Sequence, residues 1–395
     1  MVMDSTVLPD DLIRLMKKIL INTSNLHVGG GVQVAASVIG ELTLFPILPV
    51  GLVVWASTEV DANLRKLGYD LSALPAYEVV NSFGLNLLRS SLARRLQNFD
   101  AVLTIFGPLY AWKLAVTNIV GFAQPWIIYP DNEIYRASSW RQRLLGRLKF
   151  GLQATFFRRA DMLLVELEHV RQGLLRQGIG TSSSIRVVRN CLSSLYLSSD
   201  RWQPVAVADT GSDVRLGFVG RNYDHKNTRI FPALIEILRR DHGIHASVYV
   251  TFTDDEWSDC DDAFRAVVSN MGPLFVAQCP SFYQNMDAIV FPSLLECFSA
   301  TPLEAMVMER PLFAADRPFN RDVCAEHAHY FDPLDPADAA AKIAAYLSDK
   351  SQKAAGLEAA RAHALSFSNA TDRARQYLEI LMAASDKNLN ISTRG

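Results

Sequence analysis

The chain has 395 residues, of which 49% are hydrophobic and 20% charged, and its formal net charge is −2. That composition is globular, and the length exceeds one ordinary core, so two domains are expected. Charge is uneven: up to residue 200 there are 20 Lys and Arg against 15 Asp and Glu, and beyond it 19 against 26. Basic residues are balanced overall and no nucleic-acid module is recognisable, so a nucleic-acid partner is not expected. The five cysteines, Cys191, Cys260, Cys279, Cys297 and Cys324, are odd in number and form no CxxC pair. This argues against a disulfide framework and a zinc site, and for a reducing, cytoplasmic setting.

In chain order, residues 1 to 15 read as a loose extension, and MKKILINTSN opens the first strand. The apolar run after Lys17 and Lys18 is too short for a secretory signal. The segment AVLTIFGPLYAWKLAVTNIVGFAQPWIIY, 101 to 129, is long enough to span a bilayer but is broken by Gly107, Pro108, Lys113, Asn118, Gln124 and Pro125. It reads better as strand, helix, strand. Apolar or β-branched runs continue the alternation: GLVVWAS, AVLTIF, PWIIY, MLLVE, IRVV, VRLGFVG, ASVYVTF, LFVA, DAIVFP and PLFAAD. Strands spaced with helices between them predict an α/β protein of two doubly wound parallel-sheet domains. The boundary falls in residues 190 to 214, which gives an N-terminal domain over 1–200 and a C-terminal domain over 201–368. The C-terminal segment, 369–395, carries a final helix, roughly Asp372 to Ala384, which follows SFSNAT with Asn369 or Thr371 able to cap it.

Three stretches carry candidate chemistry. The first is PSLLECFSATPLEAM, in which Glu296 and Glu304 bracket a loop at the carboxyl end of a strand, where open α/β sheets bind ligands. Thr301, Pro302 and Glu304 have helix-start spacing, so Glu304 is read either as a capping-box acid or as a ligand residue. Glu296 lies ahead of the helix and is either a solvated loop acid or an acceptor for ligand hydroxyls. The second is RNYDHKN, where Arg221 and Lys226 place two cations at a strand end and Asn227 is a candidate cap for the next helix. Two cations near a helix N-terminus neutralise a diphosphate without a metal. The third is HVGGGVQ, a glycine loop that fits close backbone approach to a ligand but fails as a dinucleotide fingerprint. His27 within it reads as a hydrogen-bonded structural residue.

Together these elements resemble the retaining sugar-nucleotide glycosyltransferases of family 4, which have the GT-B fold of two facing Rossmann-like domains with the donor cleft between them. The likeness is strongest in GFVGRNYDHKN, SFYQNMDAIVFPSLLECFSATPLEAM, PLFAADRPFNRDV and HYFDP. It implies that Glu296 contacts hydroxyls of the donor sugar and Glu304 those of the ribose. Arg221, Lys226 and the backbone from Phe298 through Ser299 and Ala300 to Thr301 would hold the diphosphate. Gly30 and Gly31 would close the donor site from the N-terminal side. Gln33 falls where phosphatidylinositol mannosyltransferases direct a side chain toward the acceptor. Family members often carry a histidine after the strand corresponding to PWIIY; here Asp131 stands in that place, with Glu133 as a second polar candidate facing sugar and acceptor.

The resemblance implies hexose transfer with retention, from a UDP- or GDP-sugar, without a cofactor or metal. The acids of TDDEW and SDCDD are read as a loop and helix start rather than a metal site. Residues 136–159 combine seven Lys and Arg with Trp140, Leu144, Leu145, Leu148 and Leu152. This segment is either a core-packed helix with a solvated basic face or a binder of anionic membrane. The second reading points to a lipid-linked saccharide acceptor in bacterial polysaccharide or lipopolysaccharide assembly, at the inner face of the plasma membrane. The rivals are a sugar-nucleotide epimerase or phosphorylase of the same architecture, and a non-catalytic sugar-nucleotide-binding protein.

Overall fold

A computed structural model describes residues 17–85, 91–112, 114–207, 211, 213–349 and 353–387; the expected N-terminal extension lies outside these, as do Lys113 and the last eight residues. Among the described residues, thirteen strands form two sheets. The first contains β1 (Ile19–Thr23), β2 (Leu52–Ala56), β3 (Tyr77–Val79), β4 (Ala101–Thr104), β5 (Thr117–Gly121), β6 (Met162–Val165) and β7 (Ile185–Val187), in the order β3-β2-β1-β4-β5-β6-β7. The second contains β8 (Val214–Phe218), β9 (Ala246–Val250), β10 (Val268–Asn270), β11 (Ala288–Phe291), β12 (Leu312–Ala315) and β13 (His329–Phe331), in the order β10-β9-β8-β11-β12-β13. Every pairing is parallel. Helices cover both faces, which is why central strands such as Ile19–Thr23 and Ala288–Phe291 are buried along their whole length. The result is the two-domain α/β architecture of the GT-B fold.

Two expected strands are corrected. PWIIY is a short helix, Pro125–Ile128, because Thr117–Gly121 already fills the position beside β4 and Pro125 has the fixed φ of a first helical turn. LFVA leaves the second sheet: Gly272 has φ 71° and Pro273 has no N–H for the ladder, so the edge strand is Val268–Asn270.

Strand order reverses between β1 and β4 and again between β8 and β11. Loops leaving these four strands diverge over a crevice at each sheet's carboxyl end. The helix Ala370–Lys387, capped by the Asn369 side chain on the Asp372 amide (2.8 Å), packs against β1, β4, β5 and the helix Gly30–Thr43 of the first sheet. It buries Ala374, Tyr377, Leu378, Leu381 and Ala384 there. Arg373, 2% exposed, donates to the Asn190 side chain and to Ser37 Oγ (2.8 Å), and Asn190 donates to Glu166 (2.6 Å). None of the described helices is long and apolar enough to cross a membrane.

The helix Trp140–Phe157 begins with a Ser139–Gln142 capping box and turns Ala154, Phe156 and Phe157 inward. Five of its other apolar side chains face solvent: Trp140, Leu144, Leu145, Leu148 and Leu152 are 40 to 68% exposed. Arg141 lies over the Trp140 ring and Lys149 over Phe150.

Candidate functional site

The loop after β11 enters the crevice nearly dry. Ser293 through Cys297 are buried, and the Leu294 amide donates to the His225 carbonyl at 2.7 Å, stitching this loop to the one after β8. Glu296 is 8% exposed, and Lys226 donates to its Oε1 at 2.5 Å with 13% and 10% of the two side chains in solvent. Sequence-distant residues of opposite charge thus meet where β8 and β11 end.

Asn227 does not cap the following helix. It occupies the left-handed region at φ 55°, which Asn tolerates, and its Nδ2 donates to the carbonyls of Pro292 (3.3 Å) and Pro333 (2.7 Å). One side chain therefore ties together the loops after β8, β11 and β13. His225 beside it is stacked on Tyr223 and faces Trp126 of the first sheet, and burial lowers its pKa.

Arg221 goes elsewhere. Its Nε donates to Glu256 Oε1 at 2.7 Å, and its side chain is half exposed. Burial alone would raise the Glu256 carboxyl, but the Thr253 amide, Arg221 and the Asn222 amide outweigh it and hold it below the usual range. Glu256 is also the acid of the capping box that starts Asp254–Ser258. In the acidic run beyond, Asp261 caps Asp262–Arg265 and Asp262 pairs with Arg265.

The capping-box reading of Glu304 is replaced. Helix Thr301–Val307 already includes Thr301, its N-cap is Ala300, and no side chain caps it. Glu304 instead accepts from the Tyr283 hydroxyl at 2.8 Å, while burial raises its pKa against that bond. The buried hydroxyl of Tyr196 lies beside it as a second donor, brought by the turn Ser194–Leu197 between the two sheets. Phe298, Ser299 and Ala300 are partly exposed between the two glutamates, and Thr301 Oγ1 reaches the Val219 carbonyl at 3.4 Å.

On the first sheet, Gly29 turns the chain with φ 74°, and Gly30 opens the helix with no heavy atom within 4 Å of where a Cβ would stand. Gln33 is exposed one turn along. His27 is held by Glu59 (2.8 Å) and the Ser82 carbonyl (3.0 Å) and stacks on Phe83. Asp131 is exposed, and its partner is Arg147 at 3.2 Å. Glu133 reaches across to the second sheet and accepts from Arg317 at 2.8 Å.

A second histidine reaches this site from an unanticipated position. His169, 8% exposed at the start of Glu168–Arg176, directs its backbone N–H and Nδ1 at Asp322 Oδ2 (2.7 and 3.1 Å), and its Nε2 faces the Glu296 carbonyl at 3.4 Å. Its signal was available: VELEH ends β6 at the carboxyl edge of the first sheet, the same kind of position that pointed to Glu296 on the second. Tyr283 and Tyr196 carried no such signal.

Two parallel sheets facing across a crevice, with an ion pair and two carboxylates at the carboxyl ends of the second, define a GT-B protein with a polar interdomain site. Residues 213–349, which contain every strand of the second sheet, match the family model of glycosyl transferases group 1. Among solved structures the chain is similar to Anabaena HepE in complex with UDP-glucose (TM-score 0.68, 13% identity, covering 93% of this chain and 99% of that one). It is also similar to a glycosyltransferase from Rickettsia africae and to sucrose-phosphate synthase from Thermosynechococcus elongatus. Each gives a TM-score of 0.64 and 14% identity, with 93% of this chain and 98% of that one covered. No curated protein matches this chain.

Proposed function

We propose that this protein is a retaining glycosyltransferase that moves a hexose-like sugar from a nucleoside diphosphate sugar to a saccharide acceptor. The observation that carries the reading is the nearly buried Lys226–Glu296 pair, lying within the segment that matches the glycosyl transferases group 1 model. In the reaction the bond from the anomeric carbon to the diphosphate oxygen breaks, negative charge grows on the phosphate and positive charge on the sugar. Lys226 and the amides near Ser299, Ala300 and Thr301 stabilise the first in a crevice of reduced dielectric. Arg221 joins them by exchanging Glu256 for phosphate, an exchange that its exposure favours.

Glu296 accepts from sugar hydroxyls and Glu304 from the ribose, each through the oxygen its protein partner leaves open. Because Glu304 is on the ribose it is not the nucleophile of a double displacement. The acceptor oxygen attacks from the leaving-group face, and the departing phosphate takes its proton. Gln33, Asp131 and Glu133 stand on the acceptor side, with Gly30 giving the substrate room and Gly31 letting the loop pack against Leu26 and Phe106. The scheme assigns no role to a metal, and activity should survive a chelator.

The basic face and exposed apolar residues of Trp140–Phe157 support docking on an anionic membrane, and with it a lipid-linked acceptor of bacterial polysaccharide or lipopolysaccharide assembly. A thermal-shift panel of UDP, GDP and their sugars, beginning with the UDP-glucose bound by HepE, identifies the donor by the stabilisation that ligand binding brings. Transfer is then read as acceptor-dependent release of nucleoside diphosphate, abolished in a folded Glu296→Ala variant. Epimerised sugar nucleotide without acceptor, or full activity of Glu296→Ala, sinks the reading.

A further inference from the structure

We infer that His169 is a positioning residue that couples apposition of the two sheets to the placement of Glu296; this rests on the reading of Glu296 as the carboxylate on the donor sugar. His169 belongs to the first sheet's side of the crevice, directly after β6, whereas both groups it meets belong to the second. One oxygen of Asp322 receives its backbone N–H and its Nδ1, so Asp322 fixes both where the helix Glu168–Arg176 begins and how the ring is turned. The ring is further confined between Tyr129, with centroids 6.4 Å apart, and Phe319, 6.3 Å away. Its remaining nitrogen then faces the Glu296 carbonyl.

Glu296 is thereby approached from two domains in two different ways. Lys226, of its own domain, holds the carboxylate and stays with it whether the crevice is open or shut. His169 addresses the peptide of the same residue and departs with the first sheet if the sheets separate. The carboxylate's charge partner and the loop's anchors at Pro292 and Leu294 come from the same domain, while the contact on the Glu296 carbonyl itself requires the domains to be together. A leucine at 169 fills the same space without either ring hydrogen bond, and so separates packing from positioning.

The test uses the full chain as wild type, His169→Leu, His169→Gln and Asp322→Asn. Amide hydrogen exchange of the segment 293–299 is measured without ligand, and kcat and donor KM in the transfer assay. The expected result for His169→Leu is faster exchange in that segment and a kcat lowered by about tenfold or more, with donor KM changed by less than about threefold, since a misplaced group costs rate more than binding. Gln, which keeps a donor for the carbonyl, should restore part of both, and Asp322→Asn should fall between. Wild-type exchange and kcat in a folded His169→Leu protein overturn the inference. If wild type transfers no sugar, the functional reading fails, yet exchange at 293–299 still decides whether His169 positions the Glu296 peptide.

Discussion

Lys226→Met removes the only cation found on Glu296 among the described hydrogen bonds and leaves a carboxylate beside the Phe291 ring, over which Lys226 now sits. Two unit charges about 4 Å apart attract by about 4 kcal/mol at an effective dielectric near 20. Desolvating both ions costs several kcal/mol each, so the pair as a whole contributes little net stability. Breaking it is different: one buried charge without its partner costs about 3–5 kcal/mol. Since about a tenth of each side chain remains in solvent, the low end, about 3 kcal/mol, is expected for Lys226→Met and for Glu296→Leu alike. At about 2–4 °C per kcal/mol for a domain of this size, each single variant should melt roughly 6–12 °C below wild type. The double variant, apolar on both sides, should return to within about 1 kcal/mol of wild type, because neither charge is stranded. Calorimetry of all four proteins gives the cycle, and the transfer assay should find the stable double variant inactive. Single variants melting within about 1 °C of wild type, or a double variant losing the sum of the two, would refute the reasoning.

Burial pushes the Glu166 carboxyl up from 4.5 to about 7, against the pull of Arg373 and Asn190. The folded state therefore keeps a proton that the unfolded chain has released between those values, and stability from this group falls as pH rises through the window, by up to roughly 3 kcal/mol. Glu166→Gln should flatten the decline of Tm across it; parallel wild-type and variant curves count against the assignment. Tyr283→Phe deprives Glu304 of a hydrogen bond worth about 1.5–3 kcal/mol, and nucleotide affinity by calorimetric titration should weaken by about tenfold, with Glu304→Ala weaker still. Unchanged affinity in both would remove Glu304 from the ribose. Leu145→Ser with Leu148→Ser should cut sedimentation with phosphatidylglycerol-rich vesicles by at least about tenfold while leaving soluble-acceptor turnover intact. Binding should also weaken with added salt, and equal binding of wild type and variant would exclude this face.

Parallel strands buried on both faces were legible because their apolar runs are continuous, as in ILINT, LVVWA and AIVF. Shorter or more polar strands, such as Thr117–Gly121 and His329–Phe331, were hidden because pairing with β4 and β12, not local pattern, makes them strands. PWIIY has strand composition, yet its proline and the occupied sheet position made it helical. At the crevice, the Arg221, Lys226, Glu296 and Glu304 spacing identified the segment but not the partners. Asn227 and Glu304 both sat at helix-start positions and were drawn away by tertiary hydrogen bonds to Pro333 and Tyr283. Their competitors lie 106 and 21 residues away, a range at which capping rules are silent. His169 was hidden for the opposite reason: its strand-end position was readable, but Asp322, which gives it meaning, lies 153 residues on.

The helix Ala370–Lys387 completes the core over the first sheet although nearly all of the second sheet's chain precedes it. On the ribosome this imposes an order of events. The first sheet's strands emerge by residue 187, but Tyr377, Leu378 and Leu381 follow only after roughly 190 more residues, about 10–40 s at ordinary elongation rates. During that interval the part of the helix Gly30–Thr43 that packs on the final helix has no cover, while the second domain is being made. The first domain to be synthesised is thus the last to be finished, and its exposed face is where a chaperone would be needed most.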